Sequence, residues 1–172
     1  MLTRTLSLLL LLTACSGNDD RTALQLALSA DVDDITEYAD TIFVVIDPES
    51  PFVDESGSPL EAQDISGGTL SNYNTDDDEL ELVISVSVAY SGETLPVVEL
   101  QPGITDSAFT VTAHGYLDVT EYLRSDTIGP LSFTADQVLT QDVPLGLLDT
   151  PIGPCTNGED DDGDGWTDTD DP

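Results

Sequence analysis

Hydrophobic and polar positions repeat every second residue through the middle of the chain. Leu24, Leu26 and Leu28 alternate with Gln25, Ala27 and Ser29, the pattern of a strand with one face in a core. Residues 41–47, TIFVVID, form an unbroken β-branched and aromatic run, which predicts a central strand buried on both faces. Leu82, Ile84, Val86, Val88 and Tyr90 alternate with Val83, Ser85 and Ser87. Phe109, Val111, Ala113 and Leu117 alternate in the same way with Thr110, Thr112, His114 and Tyr116. Residues 131–133 and 137–148 are also strand-like, and clusters of Gly, Pro, Asp and Ser separate the runs. No amphipathic pattern continues for about ten residues, although 31–40 allows a short helical turn.

Roughly six to eight mostly antiparallel strands in about 130 residues predict an all-β domain over residues 22–150. The expected form is an antiparallel β-sandwich, immunoglobulin-like or similar, with a partly closed barrel as the alternative. Strand order does not follow from the pattern. The connection at 48–79 is acidic and rich in Gly, Ser, Pro and Asn. A structureless loop of that length is uncommon inside a compact domain, so a weak strand near 60–70 is expected ahead of a mobile binding loop. The run Asp76, Asp77, Asp78 and Glu79 reads as a solvated loop end.

The N-terminal residues follow another rule. Arg4 precedes a nearly continuous leucine run at 6–12, too short for the ~20 residues of a bilayer span but suited to the apolar part of an export signal. The residues that close it, Leu12, Thr13, Ala14 and Cys15, resemble the lipobox of bacterial lipoproteins: an aliphatic residue, two small ones, then cysteine. That resemblance implies a signal peptide at 1–14, diacylglycerol and a further acyl chain on Cys15, and a lipidated tether at 15–21. Acyl burial is worth roughly 0.8 kcal/mol per methylene, and more than one chain makes a stable anchor. In such families an aspartate after the cysteine retains the protein at the inner membrane. Ser16 stands there in this chain, which implies the outer membrane, facing the periplasm or the cell surface.

Residues 151–172 read as a linker and an acidic tail. Pro151, Gly153 and Pro154 break regular structure, and the tail then runs from Cys155 through a dense series of aspartates. Counting Asp160 as position 1 places Asp162 at 3, Asp164 at 5, Gly165 at 6, Trp166 at 7, Asp168 at 9 and Asp171 at 12. This is the oxygen spacing of a calcium loop, with the glycine that permits its sharp turn and with the Trp166 carbonyl as the main-chain ligand. A solvated acidic tail is the competing reading. The series resembles a thrombospondin type-3 repeat more than an EF-hand, which has flanking helices. It is also similar to tails on uncharacterised lipoproteins and surface proteins of large-genome Gram-negative bacteria. Those resemblances imply calcium as the cofactor, in the weak extracellular range of roughly 10⁻⁴–10⁻³ M.

Charge narrows the partners. There are 35 acidic residues against 3 arginines and no lysine, for a formal net charge of −32. Such a chain repels phosphate backbones, which excludes nucleic acid, and attracts cations. Candidate catalytic chemistry is sparse. His114 is the one histidine and falls on the polar face of its strand, where a surface or hydrogen-bonding role is expected, so a Ser-His-Asp triad would have to be built around it. No Gly-x-Ser-x-Gly elbow, phosphate loop or transition-metal cluster occurs, and among so many acids no carboxylate pair stands out. The acidic surroundings of Cys155 oppose thiolate chemistry. The sequence therefore predicts a non-enzymatic, membrane-anchored structural, adhesive or envelope-assembly module, with an envelope or surface protein or a glycan as partner. The alternative is a carbohydrate- or small-ligand-binding lipoprotein using 48–79, and an undetected hydrolase is the remote third.

Overall fold

The computed structural model describes residues 21–52, 57–65, 68–73, 80–88, 95–102 and 107–153. Ten strands follow in chain order: β1 (Ala23–Ala30), β2 (Thr41–Pro48), β3 (Gln63–Ile65), β4 (Gly68–Ser71), β5 (Glu81–Ser87), β6 (Val97–Leu100), β7 (Phe109–Leu117), β8 (Thr120–Ser125), β9 (Ile128–Leu131) and β10 (Val138–Ile152). A single 3-10 turn, Ile35–Glu37, lies between β1 and β2, capped by the Asp34 carboxylate accepting from the Thr36 N–H at 3.0 Å. The helical turn allowed at 31–40 is therefore present. So is the strand expected near 60–70, as the two short strands β3 and β4.

The class is all-β, as the alternation requires. The strands form one curled open sheet in the order β3-β4-β5-β2-β7-β8-β10-β1-β6, with β9 added to β7. The hydrogen bonds thus do not divide the described strands into the two separate sheets of a sandwich. Every pairing is antiparallel except β1 with β10, which is parallel from Ala23 opposite Val138 to Ala30 opposite Leu145.

The curl has a local cause in β10. Its first half pairs with β1 and its second half, from Leu145 onward, with β8. Pro144 and Gly146 flank the hand-over: proline cannot donate to the ladder, and glycine weakens and bends a strand. Nine flat strands at ~4.8 Å spacing would hold β1 and β2 nearly 20 Å apart. Instead Leu24, Leu26 and Leu28 of β1 share one buried cluster with Ile42, Val44 and Ile46 of β2, Phe109, Val111 and Ala113 of β7, and Leu123 of β8. Each fully buried side chain of this kind is worth roughly 1.5–3 kcal/mol.

The predicted central strand is β2. Ile42, Val44 and Ile46 face the cluster, while Val45 is buried on the opposite face. That opposite face, shared by β5, β2, β7 and β8, is the one that carries polar chemistry.

Candidate functional site

On β7 the alternation sends Phe109, Val111 and Ala113 into the core and leaves Thr110, Thr112, His114 and Tyr116 on the other side. Register then sets their neighbours. Asp47, Val45, Phe43 and Thr41 of β2 lie opposite Thr110, Thr112, His114 and Tyr116, respectively. On the far side Arg124 of β8 lies opposite His114.

A bulge completes the group. Gly115 pairs with Leu123 but Tyr116 pairs with Glu121, so Tyr122 is an extra residue in β8. Residues three apart in a regular strand point to opposite faces. The extra residue cancels that offset and brings Glu121 to the same face as Arg124. Tyr122 packs instead against the core and, edge to face, against Tyr38 at 6.4 Å between centroids.

Glu121 is the centre of the resulting network, with its side chain only 2% exposed. Its Oε1 accepts from Arg124 Nε at 2.7 Å and its Oε2 from Arg124 Nη2 at 2.6 Å. His114 Nδ1 lies 2.8 Å from Oε1. A carboxylate only accepts, so Nδ1 carries the proton, and in the neutral ring Nε2 accepts from the Thr112 hydroxyl at 3.2 Å. Burial alone would push the Glu121 carboxyl up; the hydrogen bonds and charges of Arg124 and His114 outweigh it and hold the group down at about 2. The same bond to Glu121 raises the Arg124 guanidinium above its ordinary value. The pair is fully ionised.

Tyr73 closes one side. It follows β4 and lays its ring near His114, Phe43 and Tyr116: centroids are 5.3 Å apart to His114 and 6.5 Å to Phe43, and the two tyrosine hydroxyls are 3.1 Å apart. Burial, reinforced by the Tyr116 hydroxyl, raises the Tyr73 phenol, and burial also raises Tyr116, so both stay neutral. The Tyr73 N–H donates to Glu81 Oε2 at 2.8 Å, which fixes the ring's position against β5. At the end of β8, where the chain turns to form β9, Ser125 Oγ takes the Ala113 N–H of β7 at 2.9 Å.

Together these groups enclose a cleft of about 430 Å³. Thr110, Thr112 and His114 are its floor, Tyr73, Val45, Asp47 and Glu81 one wall, and Arg124, Ser125 and Thr127 the other. The residues of the floor were legible as a polar strand face. Glu121, Arg124 and Tyr73 were not singled out, because β8 lacks clean alternation and Tyr73 lies in the 48–79 connection. The scarcity of cations was the available signal: in so acidic a chain, an arginine within the β domain must choose one carboxylate among many.

A second hollow, about 440 Å³, is lined by Asp31, Asp33, Asp34 and Glu37 beside the 3-10 turn. The Asp34 carboxyl there is lowered by its side-chain and backbone hydrogen bonds to Thr36, which is a capping role. Among the described residues no group of three or more His, Cys, Asp or Glu side chains is placed to hold a metal ion. Cys15, the lipid-attachment candidate, and the calcium candidates Asp160, Asp162, Asp164, Trp166, Asp168 and Asp171 lie outside the described residues, as do Asp76–Glu79. No described helix is long and apolar enough to cross a membrane. No family model matches the chain, and neither a curated protein nor a solved structure matches it.

Proposed function

We propose that this chain is a lipid-tethered extracytoplasmic module that binds a small polar ligand and performs no chemistry on it. The observation that carries the reading is the cleft on β7, whose hydroxyls, imidazole and guanidinium are already held in place by the Glu121 network. Pockets that bury small ligands combine such convergent polar groups with fixed positions, and preorganisation reduces what binding must order. Tyr73 brings the 48–79 connection into the site, which favours ligand binding over the purely structural role as the leading function.

The chain Thr112–His114–Glu121 has the connectivity of a nucleophile, base and carboxylate, yet two features support a binding role instead. Glu121 is already neutralised by Arg124, so it adds little to stabilising a charged imidazole. The β7 amides are committed, to the ladders with β2, β8 and β9 and, for Ala113, to Ser125, so they offer no oxyanion donors beside Thr112.

The tether reading rests on Leu12–Cys15. Five residues separate Cys15 from Arg21, at most ~20 Å of extended chain, so the β domain would sit close to its membrane. The tail from Asp160 to Asp171 would add a weak calcium site. A structural or adhesive role remains the second reading, favoured by β3 and β6, whose outer edges have no strand partner among the described residues.

The test is a thermal-denaturation screen of the purified chain against amino acids, short peptides, sugars and nucleosides. A ligand at a hundred times its Kd stabilises by about 2.7 kcal/mol, a shift of several degrees. A saturable shift with one class is the expected result, and a flat response to all of them sinks the ligand-binding reading. Mass spectrometry of the N-terminal peptide checks the anchor independently: an unmodified Cys15 removes it. Ester hydrolysis that disappears in His114→Ala would replace the binding role with an enzymatic one.

A further inference from the structure

We propose that the cleft takes a small zwitterion, an amino acid or a peptide of two or three residues, with its ammonium against the Glu81 wall and its carboxylate against Arg124. This deepens the ligand-binding reading and rests on it.

The two walls differ in sign. Glu81 is 4% exposed, and its Oε2 accepts the Tyr73 N–H. Among the described residues no cation pairs with it: Arg21 is bonded to Glu99, and Arg124 and His114 are both bonded to Glu121. Asp47 lines the same wall. A largely desolvated carboxylate that lines the cleft with no cation paired to it calls for a cationic complement, since isolated charge is costly to bury.

Across the floor the arrangement reverses. Glu121 is buried behind Arg124, whereas the Arg124 side chain is 41% exposed, so the cleft meets the guanidinium and not the carboxylate. Glu121 uses the Nε hydrogen and one on Nη2. Guanidinium has five N–H donors, which leaves three, two of them parallel along the Nη1–Nη2 edge that suits a second carboxylate. Being held already by Glu121, this side chain would lose little freedom on binding.

Size and polarity fit a peptide. Three strand spacings, ~14 Å, separate β5 from β8. Glu81 lies at the level of Thr110 whereas Arg124 lies at that of His114, four residues or ~13 Å along β7, so roughly 19 Å of sheet separates the two positions. Less the reach of the Glu81 and Arg124 side chains, that span admits one to three residues at ~3.3–3.6 Å each. On the floor the Thr110 hydroxyl can donate or accept, and the Thr112 hydroxyl, whose proton goes to His114 Nε2, still accepts, which suits the C=O and N–H groups of a peptide. A neutral sugar would meet the hydroxyls but leave both walls unmatched. A simple anion would meet the repulsion of a chain with net charge −32, which a zwitterion's ammonium offsets.

Calorimetric titration of the purified full-length chain decides the matter with four probes: dialanine, N-acetyl-dialanine, dialanine amide and a neutral N-acetylglucosamine trisaccharide. The expected result is saturable binding of dialanine, weakened at least tenfold by either blocking group, with no heat from the trisaccharide. In Glu81→Gln, which keeps an oxygen for the Tyr73 N–H, the acetylated and free peptides should bind alike. Blocked peptides that bind the wild-type chain as well as the free one overturn the proposal. Binding of the trisaccharide alone also overturns it while leaving a ligand-binding cleft in place. Silence from all four at millimolar concentration removes the zwitterion, and the broader thermal screen then decides whether any ligand binds.

Discussion

Replacing Glu121 by glutamine tests the central network with the least change of shape. The amide keeps one acceptor oxygen but loses the charge that holds Arg124 and His114. The Glu121 carboxyl falls from 4.5 to about 2 on folding, which corresponds to about 3 kcal/mol in favour of the folded state. Water around the half-exposed Arg124 screens part of this, so about 2 kcal/mol is the expected loss at pH 7. The pH dependence follows from the direction of the shift. Between about 2 and 4.5 the unfolded chain binds the proton and the folded one does not. The contribution is therefore complete above pH 4.5 and vanishes as the pH falls through 2. Urea denaturation of both proteins at pH 7, 4.5, 3 and 2 measures it. With a denaturant slope of about 2 kcal/mol per molar, the midpoints should differ by about 1 M at pH 7 and converge at pH 2. The remaining acids, most of the 35 in the chain, will stabilise both proteins alike as they lose charge, so only the difference between the two is informative. A difference that is constant with pH, or absent at pH 7, refutes the account of Glu121 as an ionised anchor.

Three further outcomes are expected. Leu26→Ala removes a side chain with no exposed surface and should cost about 2–5 kcal/mol in urea denaturation, whereas Val119→Ala in the exposed β7–β8 turn should change stability by less than about 0.5 kcal/mol; equal effects would contradict the shared core. Gly115→Ala sets a methyl 2.9 Å from Leu123 Cβ and 3.4 Å from Ala39 Cβ, so a loss of about 1–3 kcal/mol is expected, and a neutral variant would show that β7 and β8 are less tightly joined. Calcium titrated into the chain should give saturable heat that disappears in an Asp160→Ala, Asp164→Ala double variant; equal heats in both would leave the tail a solvated acidic segment.

The sequence was most informative where one rule governed a whole strand. In β7 strict alternation named both the core residues and the floor of the cleft, and in β2 the unbroken apolar run announced a strand covered on both faces. The pairing of β1 with β10 had no such signal, because parallel partners more than a hundred residues apart are chosen by the tertiary fold. The short strands β3 and β4 were visible only as the improbability of a long structureless connection. β8 was missed outright. Its residues, TEYLRS, place Glu121 and Arg124 three apart, and a period of two assigns them to opposite faces. The bulge at Tyr122 breaks that period, and a bulge shows itself in pairing and not in composition.

The same irregularity explains why a buried carboxylate is found in this strand. As a source of stability it is poor: desolvating an ion pair offsets much of its attraction, and an apolar replacement of similar volume is often neutral or better. Its geometric effect is larger. Without the extra residue, Glu121 would point into the cluster beside Leu123, where a charge has no partner. With it, Glu121 lies beneath Arg124 and His114, fixes the guanidinium in one wall of the cleft and sets which imidazole nitrogen faces Thr112. Fold and site thus depend on one residue in opposite ways. Tyr122 joins the core and Tyr38 on one face, and by occupying that place it allows the charged network to form on the other. A deletion that restored regular pairing in β8 would spare the alternation of Leu123 and Ser125 yet remove the anchor of Arg124, and with it the sign difference between the two walls.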